Sequence, residues 1–446
     1  MRFNQAALSS LAAFSLAPQA FAFPSADNFA QLARRGVAGS ADASPEDLHR
    51  DLVRLREKRL LFDPLTDPID VAGAHAFQAP DLDGGDQRGP CPGLNALANH
   101  GYISRDGVVS MVEVIAAVNT VYGMGIDLIT VLAVMGTAFT GNPLSLNPGF
   151  SLGGPSSKSN NILGNLGGLL GTPRGLAGSH NLIEADSSGT RDDLYVTGNA
   201  HTMNMTLFEM ALDSAEDGVL TMDLFAKRAA DRFDESISIN PYFYYGPYTG
   251  LVARNAGYLF NARLLSNHSV EYPLGGHMTT EVLKSFFAVY EEDGEMVYKE
   301  GHEQIPANWY RISADYGLLS LNLDLVDWVA KYPKLGSIGG NTGTVNSFAG
   351  VDLEDLTGGV LNVATLLQDN NLICFALEVV KTFAPNSLST LFKALETPLS
   401  LINDAIADPI LDLACPVFDD LKMDGTDLWD GLLGRYPGAE KSGAAL

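Results

Sequence analysis

Cysteine and positive charge are what this chain of 446 residues has least of. It carries three cysteines, and 28 lysines and arginines against 53 aspartates and glutamates, for a formal charge of -25. An odd number of cysteines excludes complete pairing, so at least one thiol needs its own explanation. So acidic a chain repels nucleic acid and anionic membrane surfaces. Long apolar runs are also missing beyond the first residues. The most apolar stretch, 112–139, is broken by Glu113, Gly123, Gly125 and Asp127, which suits two buried helices better than one spanning helix. Disorder is excluded as the main state, because 46% of the residues are hydrophobic and a chain of this length can bury a large core.

The opening residues read as an address. One arginine, an apolar stretch from Ala6 to Leu16 and the small-x-small site Ala20-Phe21-Ala22 define a secretory signal over 1–22, which implies secretion into an oxidising exterior. Two glycan sequons, at Asn204 and Asn267, fit that compartment. Cys374 and Cys415 lie 41 residues apart, and a bridge between them closes a loop worth about 3 to 4 kcal/mol. Cys91 is then the odd thiol.

Residues 23–70 read as an extension or pro-segment with dibasic pairs at Arg34-Arg35 and Lys58-Arg59 and one helix. That helix starts at Ser44 as cap with Pro45 in the first turn, and Leu48, Leu52, Leu55 and Leu60 form its apolar stripe. A main domain follows over 71–430, with 431–446 as a C-terminal tail. Residues 61–90 lack helical periodicity. Helices are expected at 93–99, 107–121, 125–138, 191–212, 219–235, 250–265, 278–290 and 305–331, with two or three more in 355–412. A Gly/Ser/Asn/Pro-rich insertion spans 141–180, of a length usually found in functional lids or disordered segments. No sustained β alternation and no internal repeat is visible, so the class is mainly α, a single multi-helix domain with long loops.

Pro90 and Pro92 flank Cys91. The first cannot lie inside a preceding helix and the second suits the first turn of a new one, so Cys91 belongs at a helix N-terminus, where backbone N–H groups favour a thiolate. Three readings remain open on spacing alone: a buried inert cysteine, a nucleophile with a histidine partner, and a thiolate ligand to haem iron.

The motif "RGPCPGLNALANHGYISRDG" at 88–107, preceded by "HAFQAP" at 75–80, resembles the entry to the haem-thiolate peroxidases, the fungal chloroperoxidases and unspecific peroxygenases. Further on, "EADSSGTRDD" supplies Glu184, Ala185, Asp186, Ser188 and Arg191 in the order of the family's acidic motif. The resemblance implies haem b bound through the Cys91 thiolate, whose electron push favours O–O cleavage of peroxide. It also implies a Mg²⁺ held by Glu184, the Ala185 carbonyl and Ser188 beside a haem propionate. Apart from that likeness, the acidic run is an ordinary loop. The spacing of Cys374 and Cys415 resembles the C-terminal disulfide of the longer peroxygenases. The expected reaction is H₂O₂-driven oxidation or oxygenation of a small apolar or aromatic molecule, with no nucleic acid or membrane partner.

One part of the pattern is missing. The family places an acid–base glutamate after an Asn-Pro-x-Phe motif, matched here by Asn240-Pro241-Tyr242-Phe243, yet Leu251 to Leu265 contain no carboxylate, and counting forward lands on Ala256 or Gly257. Ala185 likewise stands where chloroperoxidase has a histidine. Arg254 is the candidate for positioning peroxide, with Asn255 beside it, and His268 with Glu271 is a candidate substitute pair. His180 and His201 flank the acidic motif. The alternative reading is a haem-binding protein with weak or no peroxidase activity, and a cysteine hydrolase ranks behind it.

Overall fold

A computed structural model describes residues 63–143, 145, 147–161, 171–272, 275–357, 361–387, 415 and 421–446. The signal, the helix expected from Ser44 and both dibasic pairs lie outside them. From 63 to 90 the backbone is extended and turned, as its composition requires, with one 3-10 turn at Gly73–His75.

Helix α1, Pro92–Asn99, starts with Cys91 as its N-cap in extended conformation and ends before Gly101, whose φ of 65° only glycine adopts freely. The next helix is shorter than expected. Val108–Ser110 form strand β1, and α2 covers Met111–Tyr122. Ser110 and Glu113 close a capping box, and Gly123 at φ 70° stops the helix. After α3, Ile126–Met135, the backbone widens into a π turn, Gly136–Thr140. Part of the Gly-rich insertion then returns as β2, Gly149–Ser151, antiparallel to β1.

The helix expected over 191–212 is one turn, Leu194–Thr197, and then α4, Met205–Asp213; Gly198 at φ 83° separates them. Asn204 caps α4, and its Nδ2, the atom a glycan would occupy, donates to both carboxylate oxygens of Asp192 at 2.9 and 3.1 Å. Helix α5, Met222–Ile239, is capped by Thr221 and ends before Pro241. The aromatic run contributes β3, Tyr244–Tyr245. A second π stretch, Thr249–Arg254, leads into α6, Asn255–Arg263.

Helix α7 is Thr280–Phe286, and the expected extension to 290 gives way to a hairpin, β4 Val289–Glu292 and β5 Glu295–Tyr298. Its turn is Asp293-Gly294 with positive φ at both positions, the primed turn that twists in step with paired strands. Residues 305–317 carry Pro306 and are not helical; α8 occupies only Leu318–Lys331. Gly339–Asn341 (β6) and Phe348–Gly350 (β7) join β3 in a three-stranded sheet. Helix α9, Asn371–Ser387, carries Cys374, which is bonded to Cys415.

The segment set apart as a tail belongs to the packed body. Residues Leu428–Arg435 (α10) and Pro437–Ser442 (α11) are helical, and Ala444, Ala445 and Leu446 are buried. Tyr244 donates to the Ala445 carbonyl, Asn181 Nδ2 binds Ser442 Oγ at 3.1 Å, and the amides of Tyr248 and Thr249 donate to the Leu446 carbonyl at 2.9 Å. One continuous apolar core runs from Ile69 to Leu446. The class is mainly α, with short strands between helices. The described helices are long enough for a core but none is long and apolar enough to cross a membrane.

Candidate active site

A cavity of about 350 Å³ opens between α1, α2, α3, α6, α8 and α9. Its wall is mostly apolar, with Val118, Leu132, Phe150, Phe260 and Ile373 among its lining. Both π segments contribute, Gly136 from one and Val252 to Arg254 from the other, in keeping with the tendency of such bulges to occur at functional sites. Leu176 and Ser179 of the Gly-rich insertion also line it.

Cys91 faces this cavity. The accessible surface it keeps is cavity wall, because protein encloses the residue on its other sides. Burial pushes its thiol up, while the amides of Leu94 and Gly93 and the Arg191 guanidinium pull the other way. The two amides stabilise charge on sulfur without closing a capping hydrogen bond. The expectation that a helix start alone makes a thiolate therefore needs correction. In this apolar setting burial wins, and a metal cation bound at the sulfur would supply what the helix cannot. An unbridged sulfur opening onto an apolar cavity at a helix start fits haem iron.

The acidic loop forms another part of the wall, with Glu184, Ala185 and Ser188 lining the cavity. His180 Nδ1 lies 2.7 Å from Glu184 Oε2, and its Nε2 lies 3.8 Å from Asp186 Oδ1. Burial opposes charge on His180, but Glu184 and Asp186 outweigh it and lift the imidazole to about 9. His180 is therefore an ion-pair partner of the loop. Glu184 Oε1 is buried with no hydrogen bond, as is Asp186 Oδ1. Among the described residues no three His, Cys, Asp or Glu side chains are arranged to hold a metal ion, so a cation there needs main-chain and hydroxyl oxygens as well. The oxygens of Glu184, Ala185 and Ser188 are the hard donors that suit Mg²⁺.

This loop is held from below by two helices. Ser187, at φ 60°, receives Arg254 Nε and Nη2 on its carbonyl at 3.1 and 3.0 Å, and Tyr258 OH at 3.0 Å. Its amide donates to Asp193 Oδ1 at 2.7 Å, and Arg232 Nε donates to the Ser188 carbonyl at 2.8 Å. Arg254 also donates to the Ala229 carbonyl and to Asn255 Oδ1. Its side chain thus serves the loop, and it also borders the cavity in which the sequence expects it to position peroxide. Arg254→Met should destabilise even the haem-free protein by about 2 to 4 kcal/mol, since it strands buried carbonyls. Urea unfolding of the stripped protein measures this, and an unchanged midpoint would return Arg254 to a purely catalytic role.

Helix α6 presents Ala256, Gly257, Phe260, Asn261 and Leu264 to the cavity, with Ala253 one turn earlier. No carboxylate stands on that face. A side chain at Gly257 would find nothing within 4 Å of its Cβ, whereas Ala256 is 3% exposed. Asn261 is a cavity amide not expected from the sequence, and the helical spacing of 253, 257 and 261 is the signal that points to it. His268 is fully buried with Nε2 2.6 Å from the Arg263 carbonyl, and neither it, Glu271 nor His201 lines the cavity. Of the aromatic run, Phe243, Tyr244 and Tyr245 fill the core and only Tyr248 reaches the wall.

Glu303 has no motif around it in the sequence, yet it sits beside the Cys91 loop, 1% exposed. Burial lifts its carboxyl from 4.5 to about 7 against the pull of Asn95 and Arg191. The folded state therefore holds this proton more tightly than the unfolded chain. The stabilising contribution is complete below pH 4.5 and is lost as pH rises to about 7, on the order of 3 kcal/mol. Melting temperatures across that window should fall in the wild type and fall less in Glu303→Gln.

Residues 75–314 match the family described as Peroxidase, family 2. Aromatic peroxidase fscJ of Fusarium equiseti is 58% identical over 388 residues, 86% of this chain and 88% of that protein. Dothistromin biosynthesis peroxidase dotB of Dothistroma septosporum is 43% identical over 337 residues, 75% of this chain and 79% of that protein. An aromatic peroxygenase of Cyclocybe aegerita is 27% identical over 334 residues, 72% of this chain and 77% of that protein.

Proposed function

Since the chain belongs to peroxidase family 2, the haem-thiolate family, and is a haem peroxidase, we propose that it spends H₂O₂ on small aromatic or apolar molecules inside the cavity described above. The observation that carries this reading is Cys91, its sulfur facing an apolar cavity from the start of α1. Bound there, a haem supplies peroxide activation that the side chains alone cannot. The chain's own part is to present the sulfur to the cavity with the amides of Gly93 and Leu94 offsetting part of the burial that favours the thiol, to shed water from the cavity with its apolar wall, and to hold the acidic loop rigid through Arg254 and Arg232. Phe260, Phe150 and Tyr248 offer flat faces to an aromatic substrate. Glu184, the Ala185 carbonyl and Ser188 are proposed to hold Mg²⁺. Secretion, with removal of 1–22, is proposed on the signal and is supported by the Cys374–Cys415 bridge.

A second reading has its own support. The only carboxylate in the described cavity wall is Glu184, and His180 is bound to it. Proton transfer to and from peroxide then lacks a dedicated group, which favours a haem protein of low turnover. Purified holoprotein decides between them. A red-shifted Soret band of the ferrous–CO form, and turnover of a phenol with H₂O₂ well above free haem, support the first reading. The same band with turnover no better than free haem supports the second, and absence of the band defeats thiolate ligation.

A further inference from the structure

The acid–base problem lies inside the cavity, but the most unusual buried group lies on the other side of α1. Glu303 does not line the cavity. Its Oε1 accepts from Asn95 Nδ2 at 2.9 Å, while its Oε2 is buried without a partner. Asn95, one turn into α1 from Cys91, clasps the main chain of Gly89: the Gly89 amide donates to Asn95 Oδ1 at 3.1 Å and Asn95 Nδ2 donates back to the Gly89 carbonyl at 2.9 Å. Gly89 itself has no room for a side chain, since a Cβ would fall 1.8 Å from the Leu152 carbonyl oxygen.

The strap is double. One turn later Asn99 Nδ2 donates to the carbonyls of Gly301 at 2.7 Å and Glu303 at 2.9 Å, and Asn99 Oδ1 takes the Arg88 guanidinium at 2.9 and 2.7 Å. Segment 301–303 therefore grips the chain both before Cys91, at 88–89, and after it, at 95 and 99. Arg191 feels Cys91 and Glu303 together. Packing alone does not call for a carboxyl here, because a buried oxygen without a partner costs stability that an apolar side chain would not.

We propose that Glu303 is a positioning residue for Cys91, holding the ligand loop through Asn95 and setting the charge behind the sulfur. The inference rests on Cys91 being the iron ligand. An outer carboxylate that orients a ligand and raises its basicity is a general device of metal sites. Here it acts through an amide and from the proximal side. Once the carboxyl ionises, above about pH 7, its negative charge disfavours the more negative ferrous state and holds the iron's midpoint potential down.

Two variants of the holoprotein test this. Glu303→Gln keeps an acceptor for Asn95 and removes the charge. It should retain the red-shifted ferrous–CO band and, above about pH 7 where the wild-type carboxyl is ionised, raise the ferric/ferrous midpoint potential. Glu303→Leu removes both. It should lose the red-shifted band in favour of that of a haem without thiolate, on peptide still carrying Cys91. An unchanged potential in Glu303→Gln above about pH 7 overturns the proposal, whether or not Glu303→Leu folds. A wild type that never shows the red-shifted band defeats the ligand assignment instead, so the two failures are distinguishable.

Discussion

Cys91→Ala is expected to eliminate the red-shifted ferrous–CO band and to lower peroxide-dependent turnover by more than about 100-fold, because even the outer partners of a metal ligand are worth roughly 10- to 100-fold. The effect should be chemical and not a collapse of the fold. Cys91 takes no part in the disulfide, which joins Cys374 to Cys415, and its sulfur faces cavity and not core. Alanine loses only the weak N-cap preference of the residue it replaces, a cost of a few tenths of a kcal/mol. Circular dichroism of the variant should therefore match the wild type while haem content falls. If Cys91→Ala keeps both haem and turnover, the cavity binds haem through another residue and the assignment fails. Cys91→Ser is the gentler companion, since a hydroxyl occupies nearly the same volume.

Gly257→Glu should change activity in the opposite direction. General acid–base catalysis contributes roughly 10²- to 10⁴-fold where a proton must move in the transition state. The cavity face of α6 lacks a carboxylate, and position 257 offers an open place for one, with no heavy atom within 4 Å of where a Cβ would stand and a backbone in ordinary helical conformation. Replacing glycine inside a helix also removes a penalty of about 0.5 to 1 kcal/mol, so the fold should not suffer. The measurement is the rate of peroxide consumption in single turnover, with Gly257→Gln as the uncharged control of equal size. Equal rates in the two variants would show that proton delivery is not what limits this protein. A gain confined to the glutamate variant would show that the native cavity is complete in every respect but the acid–base.

How much of this was legible in the sequence depends on how far apart the interacting residues stand. The start of α1 at Cys91 follows from two prolines, and α2 begins at Ser110 because Glu113 lies three residues on, both decided within one turn of chain. The bare face of α6 could be read as an absence over 251–265. The β4–β5 hairpin carries a local signal as well: Asp293-Gly294 between two apolar-polar segments is a strong turn signal, lying just past the helix expected over 278–290. The contacts of Arg254 were beyond reach. Its residue type suits peroxide binding as well as carbonyl binding, and the carbonyl contacts come from a loop 67 residues away. Glu303 is the extreme case, since its partner Asn95 is 208 positions distant and neither lies in a motif that names the other. The packing of 431–446 is hidden for the same reason. It is short and rich in small residues, and nothing local announces that it docks.

That docking has a consequence for how the protein is made. Ser442 meets Asn181 across a separation of 261 residues, and Leu446 receives the amides of Tyr248 and Thr249 just where the cavity-lining π stretch begins. Contacts of such span form late, after most loop-closure entropy has been spent. The hydrogen bonds that fix the wall near Tyr248 therefore wait on residues synthesised about 200 positions later.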